Sequence, residues 1–150
     1  MVNPNPKNKL PSSAQRFISK LQSDYPQITI KSGPKFSYRP PKTIFYGPYE
    51  PNFKLLLLHE LGHALSGHLN YNLDVKRLKI ESEAWQKAAA ICQSHPEYQV
   101  KYNSDFAENQ LDSYRHWLHQ KSLCPNCKLS RFQTPDGKYH CPLCDKLLTN

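Results

Sequence analysis

Hydrophobic residues recur at helical spacing in four parts of the chain. The first part follows Pro11 and ends before Pro26, with Phe17 and Leu21 one turn apart. The leucine-rich stretch FKLLLLHELGHAL, from Phe53 on, predicts a second helix. Two further helices are predicted over residues 75–94 and 104–120, the latter with an apolar stripe. Four helices are therefore expected before residue 121.

Short β-like runs lie between the first two helices, at residues 27–31, 35–38 and 42–46. The breakers SGP and PP separate them, which predicts a small antiparallel or mixed sheet. Together these elements predict an α+β fold, with the sheet packed on the leucine-rich helix and the helices that follow. From residue 121 the pattern changes to cysteine pairs and turns. We expect a flexible arm over residues 1–11, a main domain over 12–121 and a small domain over 122–150.

Composition limits the class of protein without naming its function. The 150 residues are 38% hydrophobic and 21% charged, which is typical of a globular chain. No apolar run approaches the ~18 residues of a membrane span, and the polar, proline-rich start lacks the apolar core of a signal peptide. We expect a cytoplasmic protein with no membrane partner. Four of the five cysteines form CxxC pairs, which in a reducing compartment favour metal binding over disulfides.

The net charge of +8 leaves two explanations open. A basic surface attracts nucleic acid or acidic protein segments, and residues 1–50 hold eight Lys or Arg against two acids. The same charge could serve solubility alone, because the chain has no dense run of Lys and Arg.

The stretch HELGH contains the HExxH pattern, with His59, Glu60 and His63. On a helix the two histidines lie only ~40° apart, so both imidazoles can face one metal ion. Glu60 lies ~100° from His59 and can act as the base for a metal-bound water. Gly62 falls on the same face, where a missing side chain would let a substrate or a sheet approach. The pattern predicts a catalytic zinc centre that lacks a third ligand.

Three residues compete for that third position. His68 would lie ~180° from His59 if the helix continued, so we expect it to pack on the opposite side. Glu81 and Glu83 lie on the next predicted helix, in the stretch ESEAW. Glu81 borders an apolar stripe, whereas Glu83 has Lys87 one turn on and could form a surface ion pair.

HELGH followed by ESEAW resembles the gluzincin metallopeptidases, above all the compact minigluzincins and ImmA/IrrE-type peptidases. The resemblance implies a compact zincin fold and a zinc metalloendopeptidase acting on a protein or peptide substrate. It assigns Glu81 as the third ligand, with Glu83 as the fallback. Thermolysin-like members have an Asp four residues after this ligand to orient a histidine. Trp85 stands there in this chain, so that support must come from elsewhere.

Substrate contacts follow from the same resemblance. It implies that the strand before the active-site helix is an edge strand to which a substrate peptide adds by main-chain hydrogen bonds. That strand consists here of Thr43, Ile44, Phe45 and Tyr46. A donor should also stabilise the oxyanion formed on hydrolysis. The sequence does not choose among four candidates: Tyr71, His95, Tyr114 and His116.

A second metal site is predicted near the C-terminus, where CPNC (Cys124, Cys127) and CPLC (Cys141, Cys144) lie thirteen residues apart. Four thiolates close a tetrahedral zinc site, and PDG between them marks a hairpin turn. We predict a structural zinc ribbon; a redox dithiol and a rubredoxin-like iron centre are the alternatives. Phe132 and Tyr139 are expected to pack its small core, though exposed aromatics beside basic residues would suit single-stranded nucleic acid.

The favoured function is a zinc-dependent metallopeptidase with one catalytic and one structural zinc, in which the ribbon contacts substrate, nucleic acid or a partner. A non-catalytic adaptor that binds nucleic acid or protein through its ribbon is the first alternative. The second is a DNA-associated protease, because SprT-type proteases also resemble this layout, although their third ligand is a histidine.

Overall fold

The computed structural model describes residues 9–147; the first eight residues of the predicted arm lie outside this range. Helix α1 is followed by three strands, then by helices α2, α3 and α4, and lastly by a short hairpin and helix. The elements are α1 (Ser12–Asp24), β1 (Thr29–Ser32), β2 (Ser37–Arg39), β3 (Thr43–Tyr46), α2 (Phe53–Leu65), α3 (Asp74–Ser94), a 3₁₀ turn (Pro96–Tyr98), α4 (Ser104–Ser122), β4 (Phe132–Gln133), β5 (Tyr139–His140) and α5 (Cys144–Leu147).

Contacts divide the chain into two compact units. The first contains the described residues up to Leu69 together with Glu83–Tyr102, and the second contains Asn70–Ser82 together with the described residues from Asn103 on. The unit boundary thus falls within the continuous helix α3. The domain limits expected from the sequence stay a prediction.

The sheet of the first unit has the order β1-β3-β2, with β3 parallel to β1 and antiparallel to β2. β3 is therefore the central strand, and the prediction that Thr43, Ile44, Phe45 and Tyr46 form an edge strand is wrong. Both hydrogen-bonding edges of β3 are already paired, so it has none left for a substrate strand. The Gln22 side chain of α1 bonds the backbone N–H of Ile30 and the carbonyl oxygen of Ile28, which covers β1.

Helix α2 forms the centre of the first unit. Ten of its thirteen residues are buried, as expected for a helix that is apolar on nearly all sides. β2 and β3 both contact it. The largest fully buried side chains of the chain's described part all belong to this unit: Phe53, Leu21, Ile44, Leu57, Leu58 and Leu61.

The second unit combines the start of α3 with α4 and the cysteine-rich hairpin. The Asn103 side chain caps α4 by accepting a hydrogen bond from the backbone N–H of Phe106, 3.0 Å away. Ala107 and Leu111 are the buried residues of α4. β4 and β5 pair as a two-residue antiparallel ladder.

The α+β fold class predicted from the sequence is confirmed, with helices predominating over two small sheets. Within residues 9–147, none of the helices combines the length and the apolar character that crossing a bilayer demands.

Candidate metal centres

His59 and His63 lie one turn apart on α2 with their rings turned toward each other. Their Nε2 atoms are 3.2 Å apart, and the side chains are 6% exposed. Two nitrogens bound at ~2.0–2.1 Å to a tetrahedral zinc ion would lie ~3.3 Å apart. The two imidazoles are therefore spaced as zinc ligands would be.

Glu81 of α3 completes this cluster. A nitrogen from each histidine and a carboxylate oxygen of Glu81 all lie within 4.8 Å of one another, and all three residues are buried. Two neutral imidazoles with one carboxylate are a donor set suited to zinc with an open fourth position. The His59, His63 and Glu81 cluster can hold a metal ion. The structure groups Glu81 rather than Glu83 with the histidines.

The close approach of α2 and α3 explains why this region of α3 lies at the histidines. Gly62 lies against the backbone of Ala84, and Trp85 stacks on the His59 ring with 4.2 Å between centroids. The missing side chain of Gly62 therefore lets α3 approach α2 closely. The prediction that a substrate or a sheet approaches at Gly62 is wrong. Trp85 lies in the position where thermolysin-like enzymes have Asp, and it contacts His59 by ring stacking instead of by a hydrogen bond from a carboxylate.

His68 lies beside His63, within hydrogen-bonding distance of its ring. The prediction that His68 packs on the opposite side of the helix is wrong. That prediction assumed a continuous helix, but α2 ends at Leu65 and Gly67 adopts a φ of +66°. This turn brings His68 back so that its Nδ1 lies 2.9 Å from Nδ1 of His63. Its Nε2 lies 3.0 Å from Oε2 of Glu83. A glycine just after a helix is the sequence signal for such a turn.

Tyr38 of β2 contacts both histidines of this pair. Its ring stacks on His63 at 5.7 Å with an interplanar angle of 5°, and its hydroxyl donates to the carbonyl oxygen of His68 at 2.9 Å. Burial raises the pKa of Tyr38, so the hydroxyl keeps its proton and stays a donor. Tyr38 lies outside the sequence motifs from which the site was predicted.

Of the four oxyanion candidates, Tyr114 is the one beside a proposed ligand. Burial, followed by the charge of Glu81, raises the pKa of Tyr114 to about 12. Tyr71 bonds Arg77 instead, with its hydroxyl 3.3 Å from Nη1. His116, two residues after Tyr114, is exposed and lies ~200° around α4.

His95 follows the end of α3, ten residues beyond Trp85, or ~15 Å along a helix. It stacks on Tyr98 and bonds Glu97. The structure thus holds His95 away from the histidine cluster.

The four cysteines form the second cluster. Their sulfurs all lie within 4.8 Å of one another. The sulfurs of Cys124 and Cys144 are 3.8 Å apart, and those of Cys127 and Cys141 are 3.4 Å apart. Sulfurs bound at ~2.3 Å to a tetrahedral zinc ion would lie ~3.8 Å apart. The cluster can hold a metal ion, and its form is consistent with a zinc ribbon.

Backbone and side-chain N–H groups donate hydrogen bonds to sulfurs of the ribbon. The backbone N–H of Cys127 donates to Cys124 and, against the opposing effect of burial, lowers the pKa of that thiol to about 6. The Asn126 side chain donates to the sulfur of Cys144 at 3.3 Å. Metal ligation requires deprotonated sulfur, and the lowered pKa favours this at Cys124. Burial and hydrogen bonds with other cysteines act in the opposite direction on Cys127 and Cys144, and the pKa values of both thiols are raised.

Within the second unit, the ribbon is tied to the first residue of α3. The Gln133 side chain accepts from the backbone N–H of Asp74 at 2.7 Å, and the Tyr139 hydroxyl donates to the Asp74 carboxylate at 2.6 Å. Lys121 of α4 lies 2.9 Å from the same carboxylate. The expectation that Phe132 and Tyr139 pack the ribbon core is wrong: Phe132 is 56% exposed and Tyr139 binds Asp74.

No protein-family model, no curated protein and no solved structure matches the chain. The likeness of HELGH and ESEAW to gluzincins therefore remains a resemblance of motifs. What the geometry defines is a candidate centre of two histidines and one carboxylate, and a separate candidate centre of four cysteines.

Proposed function

We propose that the chain is a zinc-dependent metallopeptidase of the gluzincin kind, stabilised by a structural zinc ribbon. The observation that carries the proposal is the convergence of His59, His63 and Glu81, three buried ligands from two helices. Two imidazoles and one carboxylate are three ligands of the types that zinc binds in catalytic sites. The presence of Glu81 in the cluster favours the gluzincin ligand set over the three-histidine set of SprT-type proteases.

Zinc held by these ligands supplies Lewis acidity to a water molecule and to the carbonyl of a peptide bond. Glu60, 8% exposed and next to His59 in sequence, takes a proton from the attacking water and passes it to the leaving amine. Tyr114 keeps its proton over the physiological range and can donate to the oxyanion. Trp85 and the leucines of α2 keep water away from this chemistry.

Substitution of Glu60 by Gln tests the proposal. Glu60→Gln should leave the zinc content of the purified chain unchanged and abolish cleavage of fluorescently labelled, unfolded casein. The exposed Glu108→Gln on α4 is the matched control and should cleave like the wild type. Retained cleavage by Glu60→Gln would refute Glu60 as the base, and a wild-type chain that holds both zinc ions yet cleaves nothing would favour the adaptor.

A nucleic-acid-binding ribbon is the second candidate, and one observation favours it. Phe132 is 56% exposed and stacks on His140, and Leu129 and Leu143 are also exposed. Exposed aromatic and basic side chains together bind single strands by stacking and charge. Lys128 supplies a cation in the first knuckle.

A titration with fluorescein-labelled single-stranded DNA tests this candidate. Binding should weaken steeply with salt and should fall about tenfold in Phe132→Ala, the order expected for one lost stacking contact. Tyr49→Ala, which removes a similarly exposed aromatic from the first unit, is the control. Salt-independent binding, or equal loss in both variants, would reject the ribbon as the binding surface.

A further inference from the structure

The two ring nitrogens of His63 face different partners. Its Nε2 lies 3.2 Å from Nε2 of His59, in the candidate metal centre, while its Nδ1 lies 2.9 Å from Nδ1 of His68. A metal ion held by the cluster would take the lone pair of Nε2, and the proton of a neutral His63 ring would then be on Nδ1. With a metal bound, His63 would therefore donate a hydrogen bond to His68.

The tautomer of His68 follows from that of His63. Nδ1 of His68 has to accept, so its proton is on Nε2, which lies 3.0 Å from Oε2 of Glu83. A carboxylate is a natural acceptor for this N–H. With these proton positions, each of the two hydrogen bonds that link Glu83, His68 and His63 has one donor and one acceptor, and both rings are neutral.

The backbone fixes His68 in this position. Its N–H donates to the carbonyl oxygen of His63 at 3.2 Å, and Gly67 supplies the left-handed turn at a φ of +66°. The Tyr38 hydroxyl holds the carbonyl oxygen of His68, and the Tyr38 ring lies parallel to that of His63. His68 is 8% exposed, so its two nitrogens depend on these protein partners for hydrogen bonds.

We propose that His68 and Glu83 form a positioning relay, which holds His63 in the tautomer and ring orientation that binds the metal. The proposal rests on the metal centre of the proposed function. It assigns different tasks to two carboxylates of α3: Glu81 as a ligand and Glu83 as the end of the relay. Trp85 stands four residues after Glu81, where thermolysin-like enzymes have the Asp that orients a ligating histidine. The proposal assigns this supporting role to His68 and Glu83 instead. Such outer partners alter metal affinity by about 10–100-fold.

Zinc affinity provides the main test. The free zinc concentration for half-occupancy of the histidine centre is measured by competition with a chromophoric chelator, and the cysteine centre serves as an internal reference. His68→Phe keeps a ring of similar size but removes both hydrogen bonds, and should weaken the histidine centre about 10–100-fold. His68→Gln, which can both accept and donate, should recover part of the loss. His119→Phe replaces an exposed histidine of α4 and should match the wild type.

Glu83→Gln tests the far end of the relay, and should weaken zinc binding less than His68→Phe because a neutral acceptor remains. The tautomers are measured independently by ¹⁵N NMR of the zinc-loaded wild type. We expect His63 protonated at Nδ1 and His68 protonated at Nε2, and this measurement remains decisive if His68→Phe fails to fold. The opposite tautomer at His68, or wild-type affinity in His68→Phe, would overturn the relay. A wild-type chain that binds zinc at the cysteines alone would instead reject the proposed function.

Discussion

A Cβ atom built on Gly62 would lie 2.5 Å from the carbonyl oxygen of Ala84, so α2 and α3 touch through the backbone at this point. Elsewhere in a helix, Gly→Ala stabilises by about 0.5–1 kcal/mol. Here the added methyl must push backbone away, and overpacking costs about 1–3 kcal/mol. Gly62→Ala should therefore lower the free energy of unfolding and weaken zinc binding at the histidines.

Urea unfolding and chelator competition measure both effects. Ser66→Ala, at the exposed end of the same helix, is the control and should change neither quantity. A Gly62→Ala chain more stable than wild type, with unchanged zinc affinity, would contradict the close helix contact.

Loss of the ribbon zinc should also disturb the helix that supplies Glu81. Gln133 and Tyr139 of the ribbon both bind Asp74, the first residue of α3. Cys124→Ser should release the ribbon zinc and weaken zinc binding at the histidine centre. Gln133→Ala should weaken zinc binding at the histidine centre by a smaller factor. Chelator competition on the zinc-loaded variants resolves the two sites. Unchanged affinity at the histidines in Cys124→Ser would show that the ribbon does not support Glu81.

Tyr139 should make stability fall at high pH. Burial and then the hydrogen bond to Asp74 raise its pKa from 10.0 to about 12. Between these values, Tyr139 is ionised in the unfolded chain but still protonated in the folded one, so its stabilising contribution is complete below pH 10 and is lost toward pH 12. Melting temperatures measured from pH 8 to 11 should fall less steeply in Tyr139→Phe. The exposed Tyr49→Phe should keep the wild-type slope, and equal slopes in all three chains would exclude this contribution.

Arg77 should not tolerate replacement by lysine. Its guanidinium lies over three rings of the second unit, 5.0 Å from the centroids of Tyr114 and Trp117 and 5.8 Å from that of Tyr71. Lysine keeps the charge but loses the planar group that stacks on these rings. Arg77→Lys should lower the free energy of unfolding by about 1–2 kcal/mol in urea.

Arg115→Lys is the matched control for this substitution. Arg115 is about half exposed and pairs with Glu108 and Asp112 on the surface of α4, where ion pairs add little to stability. Equal effects of the two lysine substitutions would show that the aromatic contacts of Arg77 carry no particular weight.

The elements of the fold were largely predictable because their signals are local. α3 begins one residue before its predicted start and ends where predicted, and α4 begins where predicted and extends two residues further. The spacing of HELGH fixes the relation of His59 to His63 within one turn, and each CxxC pair lies within one knuckle. These relations do not depend on how distant parts of the chain meet.

Features that depend on long-range pairing were not predictable. The central place of β3 follows from pairing with both β1 and β2, which the alternation of a single strand cannot show. The position of His68 depends on the end of α2, although Gly67 could have indicated it. The exposure of Phe132 depends on the packing of the ribbon, where Tyr139 binds Asp74 while the aromatic side chain of Phe132 faces solvent.

Zinc content per chain distinguishes a protein with two metal centres from one that binds zinc through its ribbon alone. Protein purified under reducing conditions with zinc, and then freed of loosely bound metal, is analysed by elemental mass spectrometry. We expect two zinc ions in the wild type and one in His59→Ala, which retains the ribbon site. One zinc in the wild type, unchanged in His59→Ala and lost in Cys124→Ser, would refute a metal centre at the histidines and leave the ribbon as the chain's sole zinc centre.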